Sequence, residues 1–415
     1  MSQPAPVAAT SAKWTTEQKR LIVLLFLMNA LNYLDRSALS AVAPLIRAEL
    51  HLSAFDYAMA VNGFLVAYSV MYAGSGLLVD KLGYRIGLAL FVGTWSIACG
   101  LHAAITGLTS LVAFRFLLGI AEPGGFTGGV KTLAARFDGV QRPLATGFFT
   151  AGSAVGGALA PPLIIFLASH FGWRNAFLFP AAAGFLWLFA WWRTTPSSSV
   201  EHPRKSGPIF RVSWLRNPAV IAYILVRFFG DSTGYFFAFW VPEYLVSAKH
   251  FSLGMVGMLA WIPPCFTDAG AVLGGYISGY LVKRGQPAVL ARKKMMTAAG
   301  CILVVGSLLQ RADHIALLVA GLSVCTFAVG VWAANLHTLP ADAFPQPVVA
   351  SIHGIAGSAG AIGGVLFNTA IGHFAGHGQF GTAFFLVSTL MPCGVTALWL
   401  WMRESRASSV QTAEQ

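Results

Sequence analysis

The chain carries charged and polar residues at spacings that suit binding an anion and holding a proton. Asn29, Asn32, Tyr33, Arg36 and Ser40 lie at steps of 3, 4, 7 and 11 residues from Asn29, which gathers them on one face of a helix. Arg36 offers a planar fork that matches a carboxylate. Asp35 lies about 100° around the helix from Arg36, toward a neighbour. Farther along, Arg115 and Glu122 are seven residues apart, so they share a face and sit about 10 Å apart along the axis. These four charges suggest two ion pairs when no ligand is bound, Arg36 with Glu122 and Asp35 with Arg115. An anion competing for Arg36 would leave Glu122 unpaired in low-dielectric surroundings, where the neutral acid is favoured over the carboxylate. Glu122 would then take a proton, and Asp35 would follow when its pairing breaks. The chemistry expected is anion binding tied to proton uptake.

The elements that must position these groups are membrane helices. Apolar residues make up 56% of the 415 residues and charged residues 10%, against about 25% charged in an average soluble domain. So few charges cannot cover a soluble surface of this size, whereas lipid can solvate the remainder. The 44 glycines fit the close helix packing found in membranes. The net charge of +12 could suggest nucleic acid. However, the basic residues fall in short loops between apolar runs, without interleaved aromatics, so they read as orientation signals instead. Cys99, Cys265, Cys301, Cys325 and Cys393 all lie inside apolar runs, with no metal-ligand spacing and no loop position for a disulfide. No cofactor or metal is expected.

Twelve stretches reach the roughly 20 apolar residues a crossing needs. They run near 21–44, 56–79, 86–106, 108–134, 144–168 and 173–193, then near 217–246, 254–282, 293–311, 314–338, 348–373 and 380–402. The first apolar run carries Asn29, Asn32, Asp35 and Arg36, a poor signal-peptide core, and is expected to be retained. With both termini in the cytoplasm, most loop lysines and arginines, from Lys13 through Lys81, Arg204 and Lys283 to Arg406, fall on the cytoplasmic side. Arg47, Arg174, Lys249 and Arg311 fall on the other. The expected organisation is a tail at 1–20, a six-helix bundle at 21–193, a polar cytoplasmic linker at 194–216, a second bundle at 217–403 and a tail at 404–415.

The two halves echo each other. Ala151-Gly152-Ser153-Ala154 followed by Gly156-Gly157 resembles Ala356-Gly357-Ser358-Ala359 followed by Gly363-Gly364. Gly76–Arg85 resembles Gly275–Gly285 in the same way. Related halves place a binding site between them, near the bilayer midplane.

Gly76, Asp80, Lys81, Gly83 and Arg85, between the second and third crossings, resemble the loop signature of the major facilitator superfamily. Asn32-Tyr33-Leu34-Asp35-Arg36-Ser37, with Arg115 through Gly119 to Glu122, resembles the anion:cation symporter branch of that superfamily. Gly274–Ser278, Lys283-Arg284-Gly285, Ala291-Arg292-Lys293 and Leu339–Pro345 are similar to the hexuronate transporters. The resemblance covers essentially the whole chain. It implies an all-α membrane protein of twelve helices in two pseudo-symmetric six-helix bundles, a monomer in the bacterial inner membrane. It implies proton-coupled import of a hexuronate or related sugar acid by alternating access, with no nucleic-acid partner. It further implies that Tyr33, Tyr68 and Ser153 contact substrate, that Asp35, Glu122 and Arg115 couple protons, and that Gly76, Asp80, Gly83 and Arg85 serve a cytoplasmic gate.

In the second half, Arg227 and Asp231 are four apart and can pair within one helix. Tyr235 and Trp240 suit the far wall of a cavity, and Asn335 and His337 sit near the expected site. His337 stands where related sugar-acid carriers commonly have an aromatic residue. Asp268 follows Pro263-Pro264, where backbone carbonyls are freed. His353 fits packing as well as function.

Two other readings compete. In an organophosphate:phosphate antiporter, Arg36 and Arg227 would clamp a phosphate, but the carboxylates Asp35 and Glu122 would then have no coupling role. Other carboxylates (an aldonate, aldarate or aromatic acid) would use the same mechanism. An enzyme is the least expected reading, since the sequence shows no nucleophile–base pair, metal cluster or nucleotide loop.

Overall fold

In the bilayer core every backbone N–H and C=O must bond within its own segment, which leaves the helix as the form an apolar run of this kind can take. The computed structural model describes residues 14–137, 141–195, 214, 216–304, 308, 312 and 314–402. Most of the expected linker at 194–216 and all of the expected tail at 404–415 lie outside these residues.

The first half holds α1 (Thr16–Glu49), α2 (Ala54–Leu101), α3 (Leu108–Ala121), α4 (Pro123–Arg136), α5 (Arg142–Phe171) and α6 (Asn175–Thr194). The second holds α7 (Pro218–Ser247), α8 (Leu253–Leu259), α9 (Ile262–Lys283), α10 (Ala288–Val304), α11 (Ile315–Ala343), α12 (Gln346–Gly376) and α13 (Phe380–Trp401). Helix α2 makes two crossings, broken at Gly83, where φ is 76° and ψ is 159°. Only a residue without Cβ adopts that conformation readily, so the glycine of the loop motif supplies the break. Pairs α3–α4 and α8–α9 each make one crossing, giving twelve in two six-helix bundles. Among the described residues, nine stretches are long and apolar enough to cross on composition alone.

Helix α1 begins inside the segment expected to be a tail. Thr15 accepts from the Gln18 N–H while the Gln18 side chain accepts from the Thr15 N–H, a reciprocal cap that starts the helix before the apolar run does.

The repeated glycine segments do the same job in each half. A Cβ at Gly156 on α5 would run into the Ala30 carbonyl oxygen on α1, and one at Gly363 on α12 would run into the Phe228 carbonyl oxygen on α7. Backbones therefore touch at corresponding places, α5 on α1 and α12 on α7.

Described hydrogen bonds between the halves run from one end of the bundle to its middle. Arg47 pairs with Glu243 at the end of α1. Tyr57 donates to the Phe239 carbonyl at 2.8 Å. Asn368 donates to the Ala58 carbonyl at 2.9 Å and to Asn62 at 2.8 Å, while Asn62 donates to Thr369 at 2.7 Å. Nearest the middle, Ser358 donates to the Ser69 carbonyl at 2.9 Å.

Candidate functional site

Arg36 is positioned by the polar face of α1. Its Nε and Nη2 reach Glu122 Oε2 at 2.8 and 2.7 Å. The Glu122 side chain is wholly buried, whereas 18% of the Arg36 side chain is exposed, so the arginine forms the accessible edge of the pair. The guanidinium lies 4.9 Å from the Tyr68 ring centre, 5.3 Å from Tyr33 and 5.6 Å from Phe64. These aromatic faces hold the cation in place. Glu122 itself sits where α3 gives way to α4, just ahead of Pro123. Pro123 has no N–H to give the preceding turn, so the helical ladder loses one bond there while the Glu122 backbone stays helical.

The expected pairing of Asp35 with Arg115 is not found. Asp35 is buried and accepts from the Cys99 thiol at 3.4 Å, and its other oxygen has no partner among the described residues. Arg115 is fully buried, its guanidinium 4.7 Å from the Phe64 ring centre with no hydrogen-bond partner among those residues. The turn that separates Asp35 from Arg36 directs it at the second crossing of α2, while Arg115 faces Phe64.

The other expected contacts divide. Tyr33 and Tyr68 gather at Arg36, with Tyr33 37% exposed. Asn32 is buried near Gly125, with its Nδ2 lacking a partner among the described residues. Ser153 is part-exposed on α5 and donates to its own-helix Thr150 carbonyl at 2.6 Å. Tyr235, half-buried, stacks on Phe239, and a Cβ on Gly364 would stand 2.6 Å from its ring and 3.1 Å from Leu65 of the first half, which sets it at the seam between the halves. Asn335 is not brought to this site. It is fully buried and donates to the Val331 carbonyl at 2.8 Å and the Gly274 carbonyl at 3.4 Å, so it packs α11 on α9. Trp240 is likewise buried, donating to Asn368 at 2.6 Å.

A second cluster forms in the other half. Arg227 Nη2 pairs with Asp231 at 2.9 Å, as the spacing of four predicts. Arg227 Nη1 lies 3.0 Å from His337 Nδ1. Tyr223 hydroxyl lies 2.9 Å from His353 Nδ1, and the two imidazoles are 5.4 Å apart. Tyr72 reaches this cluster from the first half: a Cβ on Gly357 would stand 3.1 Å from its ring and 3.2 Å from Arg227 Nη2. Tyr68 and Tyr72 are 5.7 Å apart, so α2 links the two arginine clusters. Sequence reasoning missed Phe64 and Tyr72, although their steps of four either side of Tyr68 mark one face of α2. Asp268 is half-buried on α9. The Pro263 carbonyl, one turn before it, accepts from Thr326 at 2.7 Å.

At the end opposite the bonds of Arg47 and Asn368, Asp80 pairs with Lys131 at 2.9 Å. Arg85 lies over the Trp192 ring at 4.6 Å. Gly76 leaves open space where a side chain would be.

Two helical bundles enclosing buried charges at their mid-length define a multi-pass membrane transporter. The chain belongs to the Major Facilitator Superfamily, whose profile matches residues 25–367. It is 27% identical to the hexuronate transporter of Escherichia coli (strain K12), over 94% of this chain and 95% of that one. It is 29% identical to the galacturonate transporter of Dickeya chrysanthemi, over 69% of this chain and 88% of that one. In structure it is similar to a bacterial homolog of the human lysosomal transporter Spinster in an inward-facing, occupied conformation. That likeness has a TM-score of 0.75 and 17% identity over 96% of this chain and 99% of the other.

Proposed function

We propose that this protein is a monomeric proton-coupled symporter that imports a hexuronate or closely related sugar acid across a bacterial inner membrane by alternating access, with both termini cytoplasmic. The observation that carries this reading is the Arg36–Glu122 pair under Tyr33 and Tyr68. The guanidinium can exchange one carboxylate for another, and the tyrosine hydroxyls beside it suit the hydroxyl groups of a sugar. The names of the relatives from Escherichia coli and Dickeya chrysanthemi support the choice of substrate.

The cycle follows from charge. A substrate carboxylate takes Arg36 from Glu122. Left without its partner in a buried site, Glu122 favours its protonated form. Asp35, whose weak thiol contact compensates little of a carboxylate's charge, holds a second proton. The loaded site then carries less net charge across the membrane than the separate ions would. With the termini cytoplasmic, the bonds of Arg47, Tyr57, Asn62 and Asn368 close the periplasmic end, and the site opens inward.

A phosphate clamp between Arg36 and Arg227 would leave the buried carboxylates Asp35 and Glu122 without a coupling role, which disfavours the antiporter. The test is uptake of radiolabelled galacturonate and glucuronate into proteoliposomes, with and without an inward proton gradient. Accumulation driven by the gradient is expected. Uptake that ignores the gradient would overturn the coupling, and gluconate or galactonate carried in place of both hexuronates would change the substrate.

A further inference from the structure

The Arg227 cluster has no task in this cycle, yet it holds a histidine in an unusual position. His337 stands in the last third of α11 and is exposed. Its neighbours are Arg227 on α7 and His353 on α12, and Arg227 lies beside Tyr72 of the first half, so the cluster borders the seam between the halves. A guanidinium has donors only. The 3.0 Å contact from Arg227 Nη1 therefore requires the lone pair on His337 Nδ1. The ring is neutral, with its proton on Nε2. A protonated ring would set N–H against N–H and two cations side by side.

We infer that His337 is a further proton site of the transport cycle, capped by Arg227 in the empty carrier and uncovered when an anion draws Arg227 away. This inference rests on the proposed binding of an organic anion between the halves. Arg227 has a spare donor, since its Nε lacks a partner among the described residues. A carboxylate accepts from a guanidinium more strongly than an imidazole does, so an arriving anion takes the Nη1 donor from His337. The released lone pair accepts a proton from cavity water, and Arg227 only redirects an N–H. When the anion departs, the proton leaves Nδ1 and the cap re-forms.

The groups around the ring make the exchange local. From α7 come Arg227, Asp231 and Tyr223, from α12 His353, and from α2 Tyr72, beside Arg227. On α11 itself, Asp342 is turned to Arg292 at 2.9 Å and leaves the cluster's charge balance to Arg227 and Asp231. The consequence is a coupling ratio that depends on acidity: one further proton moves with each anion when the cavity is acidic enough to charge an uncovered histidine.

Two measurements on the full chain test this. The first needs no substrate: nitrogen-15 spectra of the empty carrier in nanodiscs, with His337 assigned by the signal lost in His337→Gln. A neutral ring with bare Nδ1 is expected at neutral pH, and a protonated Nδ1 overturns the cap. The second is the charge moved per galacturonate, read from reversal potentials in proteoliposomes at about pH 5.5 and about pH 7.5, either side of the range where an ordinary histidine titrates. The wild type should move one further charge at the lower pH, and His337→Phe and His337→Gln should show the same ratio at both. Brisk transport with a wild-type ratio that ignores pH, or with variants that keep its pH dependence, overturns the inference and leaves the symporter reading intact. No galacturonate flux at all overturns the substrate reading, while the spectrum still decides the cap.

Discussion

Glu122 receives both of its contacts from Arg36 on one oxygen, Oε2, and its buried Oε1 has no hydrogen-bond partner among the described residues. The pair is thus one-sided rather than a two-by-two fork, and it is held further by the aromatic faces of Tyr33, Phe64 and Tyr68. A lysine would keep the charge but lose the planar stacking and the second donor. Arg36→Lys should therefore weaken sugar-acid binding about tenfold to a hundredfold, the worth of a charge-assisted hydrogen bond of roughly 1.5–3 kcal/mol. Isothermal titration of galacturonate into the purified carrier checks this, and wild-type affinity in the variant would remove Arg36 from the binding site.

Glu122→Gln keeps the shape of the side chain and loses the proton site. Uptake driven by a proton gradient should fall about tenfold or more, since coupling then lacks a contribution of at least ~1.4 kcal/mol. Exchange of labelled for unlabelled substrate should persist, because that half-cycle requires no net proton movement. Loss of uptake and exchange together would mean that Glu122 holds the helices in place and does not carry protons.

These two side chains were legible in the sequence because each lies on a helical face whose direction follows from spacing alone. Their partnership was legible too, since opposite charges deep in a membrane must meet something. The Asp35–Arg115 pairing was not, because a thiol and a phenyl ring, unremarkable in sequence, occupy the places opposite them. Asn335 shows the same limit. Its position on α11 suited the cavity, but its rotation toward the Gly274 carbonyl depends on how closely α9 approaches, which glycine-rich sequence leaves open. The link from Tyr68 through Tyr72 to Arg227 joins residues of both halves, and no spacing within one helix encodes it. The twelve crossings, by contrast, follow from hydropathy, and the break between the second and third from Gly83.

Asp35 is a buried carboxylate held by little more than the Cys99 thiol. Replacing an under-compensated buried charge with its neutral isostere removes a desolvation cost. Asp35→Asn should hold or raise the melting temperature of the purified protein while abolishing proton-driven uptake. A fall in melting temperature comparable to that of a core cavity mutant would show that Asp35 holds an ion pair this structure lacks.

Packing gives a stability prediction remote from the charges. A Cβ at Gly156 would strike the Ala30 carbonyl oxygen, and backbone cannot rotate aside as a side chain can. Gly156→Val should cost about 1–3 kcal/mol, the usual range for overpacking, seen as a lower melting temperature and a lower yield of folded carrier. Gly147→Val, where a Cβ meets open space, is the control and should melt near the wild type. Equal losses in both would point to β-branching within the helices rather than to the α1–α5 contact.

The closed end of the bundle depends on Asn368, which donates to Asn62 and to the Ala58 carbonyl and accepts from Trp240. Removing its amide leaves the Trp240 N–H and the Asn62 amide oxygen unsatisfied in the closed state, at about 1–3 kcal/mol each, whereas separated halves could expose them to water. Asn368→Ala should therefore shift the carrier toward the state open at this end. The measurement is labelling of Ala58→Cys, buried at 0% exposure in this structure, by a membrane-impermeant maleimide in a background without the five native cysteines. Faster labelling in Asn368→Ala, slowed again by restoring Asn368, identifies this amide cluster as the bolt of that end. Unchanged labelling would assign closure to the Arg47–Glu243 pair, and Glu243→Gln, which keeps the side-chain shape and removes the charge, would then accelerate labelling alone.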